Sequence, residues 1–292
     1  MRRWALVLLA SSALLAQDTE KNPTARVGFG AFTDQFSDAT GTRKGWLVNG
    51  EWFRDTSGPW TASVVGTTRP EGTGTTFSLG KEIFFGDQSW AWFSLGKGTG
   101  ADFVPTLRGS LDLTLGLDAT WSLGLAASVN RYQADATTTI LQAGPGWAGG
   151  EWSTSLRLQQ VRYSPGNDSY TGGLLDLRWG ASNQRRWHSL RVGVGEGILD
   201  AMQAGGSFSS STMSTTSGGR GSGNGRSGTT PTTSTTTTTA VWVSPSLKET
   251  LISTTHHFPL TKNLALRADL TWGRRETAFS MWSATLQTFI SF

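Results

Sequence analysis

Along most of the chain apolar and polar residues alternate one for one. From Thr106 to Leu117 one face carries Leu107, Gly109, Leu111, Leu113, Leu115 and Leu117, while the other carries Thr106, Arg108, Ser110, Asp112, Thr114 and Gly116. A period of two marks an extended strand whose faces meet different surroundings. The dyad returns where Trp121, Leu123, Leu125, Ala127 and Val129 oppose Ser122, Gly124, Ala126 and Ser128. It returns again where Leu264, Leu266, Ala268, Leu270 and Trp272 oppose Arg267, Asp269 and Thr271. Trp46–Trp52, Trp152–Leu158, Gly173–Trp179 and Leu190–Val194 alternate less strictly, and helical periodicity is not convincing anywhere. The pattern predicts about fourteen strands, with twelve as the alternative count, beginning near residues 26, 44, 60, 76, 90, 106, 121, 137, 151, 169, 186, 246, 263 and 277.

A soluble sandwich also alternates, but the alternating stretches here run to about ten residues, the length a tilted membrane strand needs. Trp60, Trp90, Trp121, Trp152 and Trp187 recur every 30 to 35 residues, each after a short polar or Gly/Pro turn. That spacing reads as a hairpin repeat whose strands open on an interfacial aromatic girdle at the periplasmic edge. The chain closes on an alternating strand in which Leu286, Ile290 and Phe292 share one face. A terminal Phe of this kind resembles the assembly signal of bacterial outer-membrane barrels. The expected fold is therefore all-β, a transmembrane antiparallel up-and-down β-barrel over residues 26–292.

Composition agrees. Arg2 and Arg3 precede an apolar run from Trp4 to Ala16, which reads as a signal peptide over residues 1–16, cut after Ala16 or Ala13. Export leads to the outer membrane of a Gram-negative-type bacterium, with residues 17–25 a short periplasmic segment. Without Arg2 and Arg3 the 25 basic residues fall to 23 against 21 acidic, a net charge of +2 that leaves no basic stripe for nucleic acid. The absence of Cys excludes disulfide scaffolds and thiolate metal sites. Residues 196–243 form one long loop, and all but seven of the 36 residues from Gly205 to Ala240 are Ser, Thr or Gly. An even strand count places this tract outside the cell as a disordered, low-complexity loop.

Several stretches together resemble the YaiO family of outer-membrane β-barrel proteins. They are Phe103-Val104-Pro105 followed by Arg108 and the strand to Leu117, then Trp121-Ser122-Leu123-Gly124-Leu125 and Arg131-Tyr132. Gly144 to Trp152 with Ser155, Leu156 and Arg157 follow, then Ser169 to Trp179, and the closing strand with Phe292. The resemblance implies a fold and a location, with no activity whose residues carry over.

Strand parity puts Glu51, Arg108, Asp112, Arg157, Asp176, Arg178, Arg191, Arg267 and Asp269 on inward faces. Such a set either lines an aqueous pore or fills the barrel with paired charge. The leading expectation is a channel for small solutes or saccharide material, the alternative a structural or surface-display barrel. An outer-membrane hydrolase is a distant third, since His188, His256 and His257 are the only histidines and Ser253 and Thr255 lack a residue to orient them. No cofactor, metal site or catalytic residue is implied. The expected partners are outer-membrane lipid and the barrel-assembly machinery. Lys81 stands out, because alternation through Phe77, Leu79, Ile83 and Phe85 turns it toward lipid unless a bulge displaces it or it snorkels to an interface.

Overall fold

The computed structural model describes residues 24–37, 41–53, 58–85, 89–133, 136–164, 168–180, 186–199, 248–261, 263–276 and 278–292. The expected signal peptide lies outside them, as does the long tract from residue 200. Of the expected segment 17–25 only Thr24 and Ala25 are described, and Ala25 already belongs to a strand.

The described residues form fourteen strands: β1 (Ala25–Phe36), β2 (Thr42–Trp52), β3 (Trp60–Arg69), β4 (Gly72–Phe84), β5 (Trp90–Gly100), β6 (Leu107–Gly116), β7 (Trp121–Arg131), β8 (Thr137–Gly149), β9 (Trp152–Ser164), β10 (Ser169–Trp179), β11 (Trp187–Gly195), β12 (Glu249–Pro259), β13 (Leu264–Arg275) and β14 (Phe279–Ser291). Each pairs antiparallel with its sequence neighbours, and β1 pairs with β14 to close the barrel. The seam is sealed at its end, where the Thr24 N–H donates to the Phe292 carbonyl (2.8 Å) and the Phe292 N–H to that of Ala25 (2.9 Å). Thr24 and Phe292 therefore lie at one rim, called here the terminus end. Expected and observed strand starts differ most at β4 and β12. In β4 the run Gly72-Thr73-Gly74-Thr75 carries no polar contrast for a periodicity to register.

The two faces follow the dyad. Phe77, Leu79, Phe93, Leu95, Leu111, Leu158, Leu270 and Leu286 point outward and are exposed, an apolar band that only hydrocarbon would satisfy. Lys81 keeps its outward register opposite Trp60 without a bulge. Its Nζ donates to the Gly58 carbonyl (2.7 Å) and lies 5.4 Å from the Trp60 ring centre. The amine thus snorkels to the terminus rim while its stem crosses the apolar band.

Glycines mark where backbones meet most closely. In β8 the segment Gly144-Pro145-Gly146 interrupts the ladder to β9, whose register resumes at Gly146↔Ser155. Pro145 has no N–H to donate, and a Cβ at Gly144 would sit 1.8 Å from the Leu156 carbonyl oxygen.

The β6–β7 turn is fixed by Asp118. Its carboxylate accepts the N–H groups of Thr120 (2.7 Å) and Trp121 (2.8 Å) and the Thr120 hydroxyl (3.0 Å), the Asx-type closure of a tight turn.

Two predictions follow from these contacts. Gly144→Ala should abolish refolding, since overpacking costs about 1–3 kcal/mol even where neighbours yield and a backbone carbonyl cannot. Gly173→Ala, with nothing within 4 Å of its Cβ position, should refold normally, both being read by heat-modifiable gel migration. The hydrogen bonds to Asp118, the backbone ones first, hold its carboxyl below the usual carboxylate range. Its contribution is complete above the unfolded carboxylate pKa and is lost as pH falls through the lowered value. An NMR titration of that carboxyl should find a midpoint below that of an unfolded-chain aspartate, and Thr120→Val should move it part of the way back.

Candidate functional site

The candidate site is the lumen. Alternation places all nine of the expected charged residues on inward faces, and the pairing register brings most of them together. Arg191 Nε donates to Asp176 Oδ1 (2.6 Å) on the adjoining strand, and Arg267 Nη2 to Asp269 Oδ1 (2.7 Å) two residues along its own. Arg157 on β9 reaches over two intervening strands to Asp112 on β6 in a two-pronged contact of 3.2 and 3.3 Å. Its guanidinium passes over Gly124, where a Cβ would come within 3.0 Å of Nη2. Glu51 pairs with Arg26 at 3.3 Å. Arg178 instead lies over Trp187, 4.3 Å from the ring centre, and Arg108 is buried near the far end of β6.

The cations are thus largely answered one for one by carboxylates, as dry or half-dry lumen charges must be. Sequence parity missed further members of the same set. Arg43 pairs with Asp34, and Arg275 with Glu249, both inside the far end of the barrel. Gln142 Nε2 donates to Gln159 Oε1 (2.7 Å). Glu82 is fully buried beside Trp92, its cross-strand neighbour.

The far end is packed by two loop segments that fold inward. After β11, Ile198 and Leu199 drop into the barrel and are 1% and 0% exposed. They pack with Phe36, Leu174, Leu251, Phe279 and Met281. Gly172, Gly193 and Gly273 make the room, since a Cβ on any of them would meet Ile198 or Leu199 within 2.7 Å. The Leu199 N–H donates to Glu249 Oε2 (2.7 Å), and Gln159 Nε2 to the Gly197 carbonyl (3.3 Å). After β5, Phe103 and Val104 do the same. Val104 fills the notches at Gly74 and Gly98, and the Arg69 guanidinium covers Phe103 at 4.6 Å.

The tryptophan expectation needs correction. Trp60, Trp121 and Trp152 point outward and are 42 to 50% exposed, but Trp90 and Trp187 point into the lumen and are buried. The outward tryptophans at this rim are completed by Trp52, Trp147 and Trp179, which sit opposite Trp60, Trp121 and Trp152 in register. The physical signal is phase against the aliphatic residues of the same strand. Trp121 is in step with Leu123 and Leu125, whereas Trp90 is out of step with Phe93 and Leu95, and Trp187 with Leu190 and Val192. Leu286, Ile290 and Phe292 face outward on the closing edge.

No nucleophile–histidine couple is assembled on β12. Ser253 Oγ bonds Thr271 Oγ1 (2.7 Å), Thr255 Oγ1 donates to Asp269 (2.6 Å), and His257 stacks on Trp187 at 5.6 Å. His256 faces outward, opposite to His257, and meets His188 of the neighbouring strand. No group of three or more metal-ligating side chains occurs among the described residues.

Removing one partner of the cross-lumen pair leaves a buried charge alone, which costs about 3–5 kcal/mol. Arg157→Ala should therefore lower the free energy of unfolding in urea by that order. The double variant Arg157→Ala/Asp112→Ala should recover most of the loss, measured as a double-mutant cycle on tryptophan fluorescence.

The architecture agrees with known outer-membrane barrels. A monoaromatic hydrocarbon channel, CymD, superposes with a TM-score of 0.52 at 9% identity, covering 93% of this chain and 89% of that one. A bacterial polysaccharide outer membrane secretin superposes with a TM-score of 0.51 at 8% identity, covering 94% of this chain and 100% of that one. At these identities the likeness is one of fold. Comparison with curated proteins finds no match. The model of the YaiO membrane beta barrel domain matches residues 24–197, from the first strand to the inward turn after β11, and the chain belongs to that family of outer-membrane β-barrels.

Proposed function

We propose that the barrel is a gated pore for small polar solutes or short saccharide material, with the terminus end in the periplasm and the far end stoppered by the two inward segments. The orientation is supported by the outer wall. At the far end Lys44, Lys97, Arg131, Arg162 and Arg274 are exposed and outward-facing, a belt of cations suited to anionic lipid headgroups, while the terminus end carries the paired tryptophans.

The observation that carries the reading is the contrast along the lumen. Between the two ends the side chains of Asp176 and Arg191 are 23% and 18% exposed inside the barrel, so solvent reaches this part of the charged wall, while Glu51, Trp90, Trp187 and Arg267 nearer the terminus rim are buried. At the far end Ile198 and Leu199 are sealed. A charge-paired lumen that ends on packed apolar segments is the form of a closed pore. The pairing of Arg157, Arg191 and Arg267 with carboxylates gives the open state weak ion preference.

The second reading, a structural barrel with a filled lumen, draws on the same far-end packing, where Phe103, Val104 and Tyr132 add to the stopper.

Planar-bilayer conductance separates the two. The refolded wild type should give rare, small steps, and Ile198→Ser/Leu199→Ser frequent larger ones with a reversal potential near zero in a salt gradient. Silence from both proteins, with heat-modifiable migration proving the folded barrel, would favour the structural reading.

A further inference from the structure

The outer wall at the terminus end carries a feature that the lumen does not account for. Beside the β8 ladder interruption a trough of about 470 Å³ opens between Trp121 and Trp147 on one side and Leu156 and Leu175 on the other. Its floor is Pro145, Gly146 and Thr154, residues too small to fill the space their neighbours frame. Leu175 leads along β10 to Trp179 on the same face.

From Trp179 a chain of ring contacts runs round the wall. Trp152 stacks on Trp179 at 5.9 Å, and Trp179 meets His188 at 5.7 Å. His188 then meets His256, Nδ1 to Nδ1, at 2.9 Å. Phe258 lies 5.5 Å from His188 and 6.2 Å from His256, and the Arg186 guanidinium lies 5.9 Å from the Phe258 ring. One guanidinium and two imidazoles therefore gather around one phenyl ring at the membrane edge.

The Nδ1 contact fixes the chemistry of the histidine pair. One ring must donate its Nδ1–H and the other accept, so the accepting ring in its neutral form carries its proton on Nε2, a donor left for something else. An Arg and an imidazole donor side by side, next to an apolar trough, match a phosphodiester joined to an acyl chain.

We propose that this wall, over β7 to β12, binds one glycerophospholipid of the periplasmic leaflet, its phosphate on Arg186, His188 and His256 and an acyl chain across Trp179 into the trough beside Pro145. The charge of the headgroup complements the basic cluster, and the apolar trough lies on the same outer wall. Its placement rests on the terminus end facing the periplasm and is independent of whether the lumen conducts.

Native mass spectrometry of the detergent-purified barrel, titrated with 1-palmitoyl-2-oleoyl-phosphatidylglycerol, tests the site. The wild type should hold one lipid more tightly than the rest. Arg186→Ala/His188→Ala/His256→Ala should weaken that first lipid about tenfold, the scale of one lost charge-assisted contact set. Leu175→Trp, which fills the trough, should weaken the long-chain lipid while leaving dihexanoyl-phosphatidylglycerol unaffected. Inorganic phosphate alone should not displace the lipid. Heat-modifiable migration would verify that both variants fold. Unchanged lipid retention in both variants would overturn the proposal, as would equal competition by inorganic phosphate, which would reduce the cluster to a simple anion site.

Discussion

A chain crossing hydrocarbon must satisfy every backbone N–H and C=O within itself, and for strands only closure does so. The pairing of β1 with β14 is thus the contact on which the rest depends. Once the sheet is closed, pleating divides side chains between lipid and lumen, and each strand's alternation becomes a statement about two solvents. Pro145 is the one place where the described sheet lacks a donor in mid-strand, and its surroundings show the accommodation required. Glycines on both sides let the backbones approach, and the wall thins there into a trough on its lipid face.

The period-two pattern made the strand order, the even count and the inward charges legible, because alternation is a local property that a single strand displays. The aromatic girdle was legible only in part. Position after a turn identified tryptophans at the rim, yet phase relative to Leu and Phe on the same strand decides which side of the wall each one takes. The inward segments at Phe103-Val104 and Ile198-Leu199 carry no period at all, so nothing local distinguished them from exposed loop. In retrospect the glycines opposite them, at 74, 98, 172, 193 and 273, are the signal, since each forfeits a side chain where another segment enters. The His188–His256 contact depends on the register of two strands separated by the long tract, and adjacency of that kind is invisible along the sequence. The Phe103-Val104 motif that carried the family resemblance has a physical role, closing the far end of the lumen.

Charge inside the barrel illustrates a balance between solubility of the wall and its rigidity. Unpaired, the lumen arginines would demand water or anions at every level. Paired across strands, over two intervening ones in Arg157–Asp112 and between neighbours in Arg191–Asp176, they tie the wall together and leave a lining that is polar but nearly neutral. In the proposed pore, such a lining leaves control of passage to the stopper.

In the proposed pore, solvent enters the lumen from the terminus end and the packed Ile198 and Leu199 hold it from the far end. Since the chain has no cysteine, single substitutions report cleanly, and Ser155→Cys faces the lumen while Leu156→Cys faces lipid. With the barrel inserted in one orientation, a membrane-impermeant thiol reagent should label Ser155→Cys from the terminus side alone and Leu156→Cys from neither side. Labelling of Ser155→Cys from the far side, with Ile198 and Leu199 intact, would contradict the account.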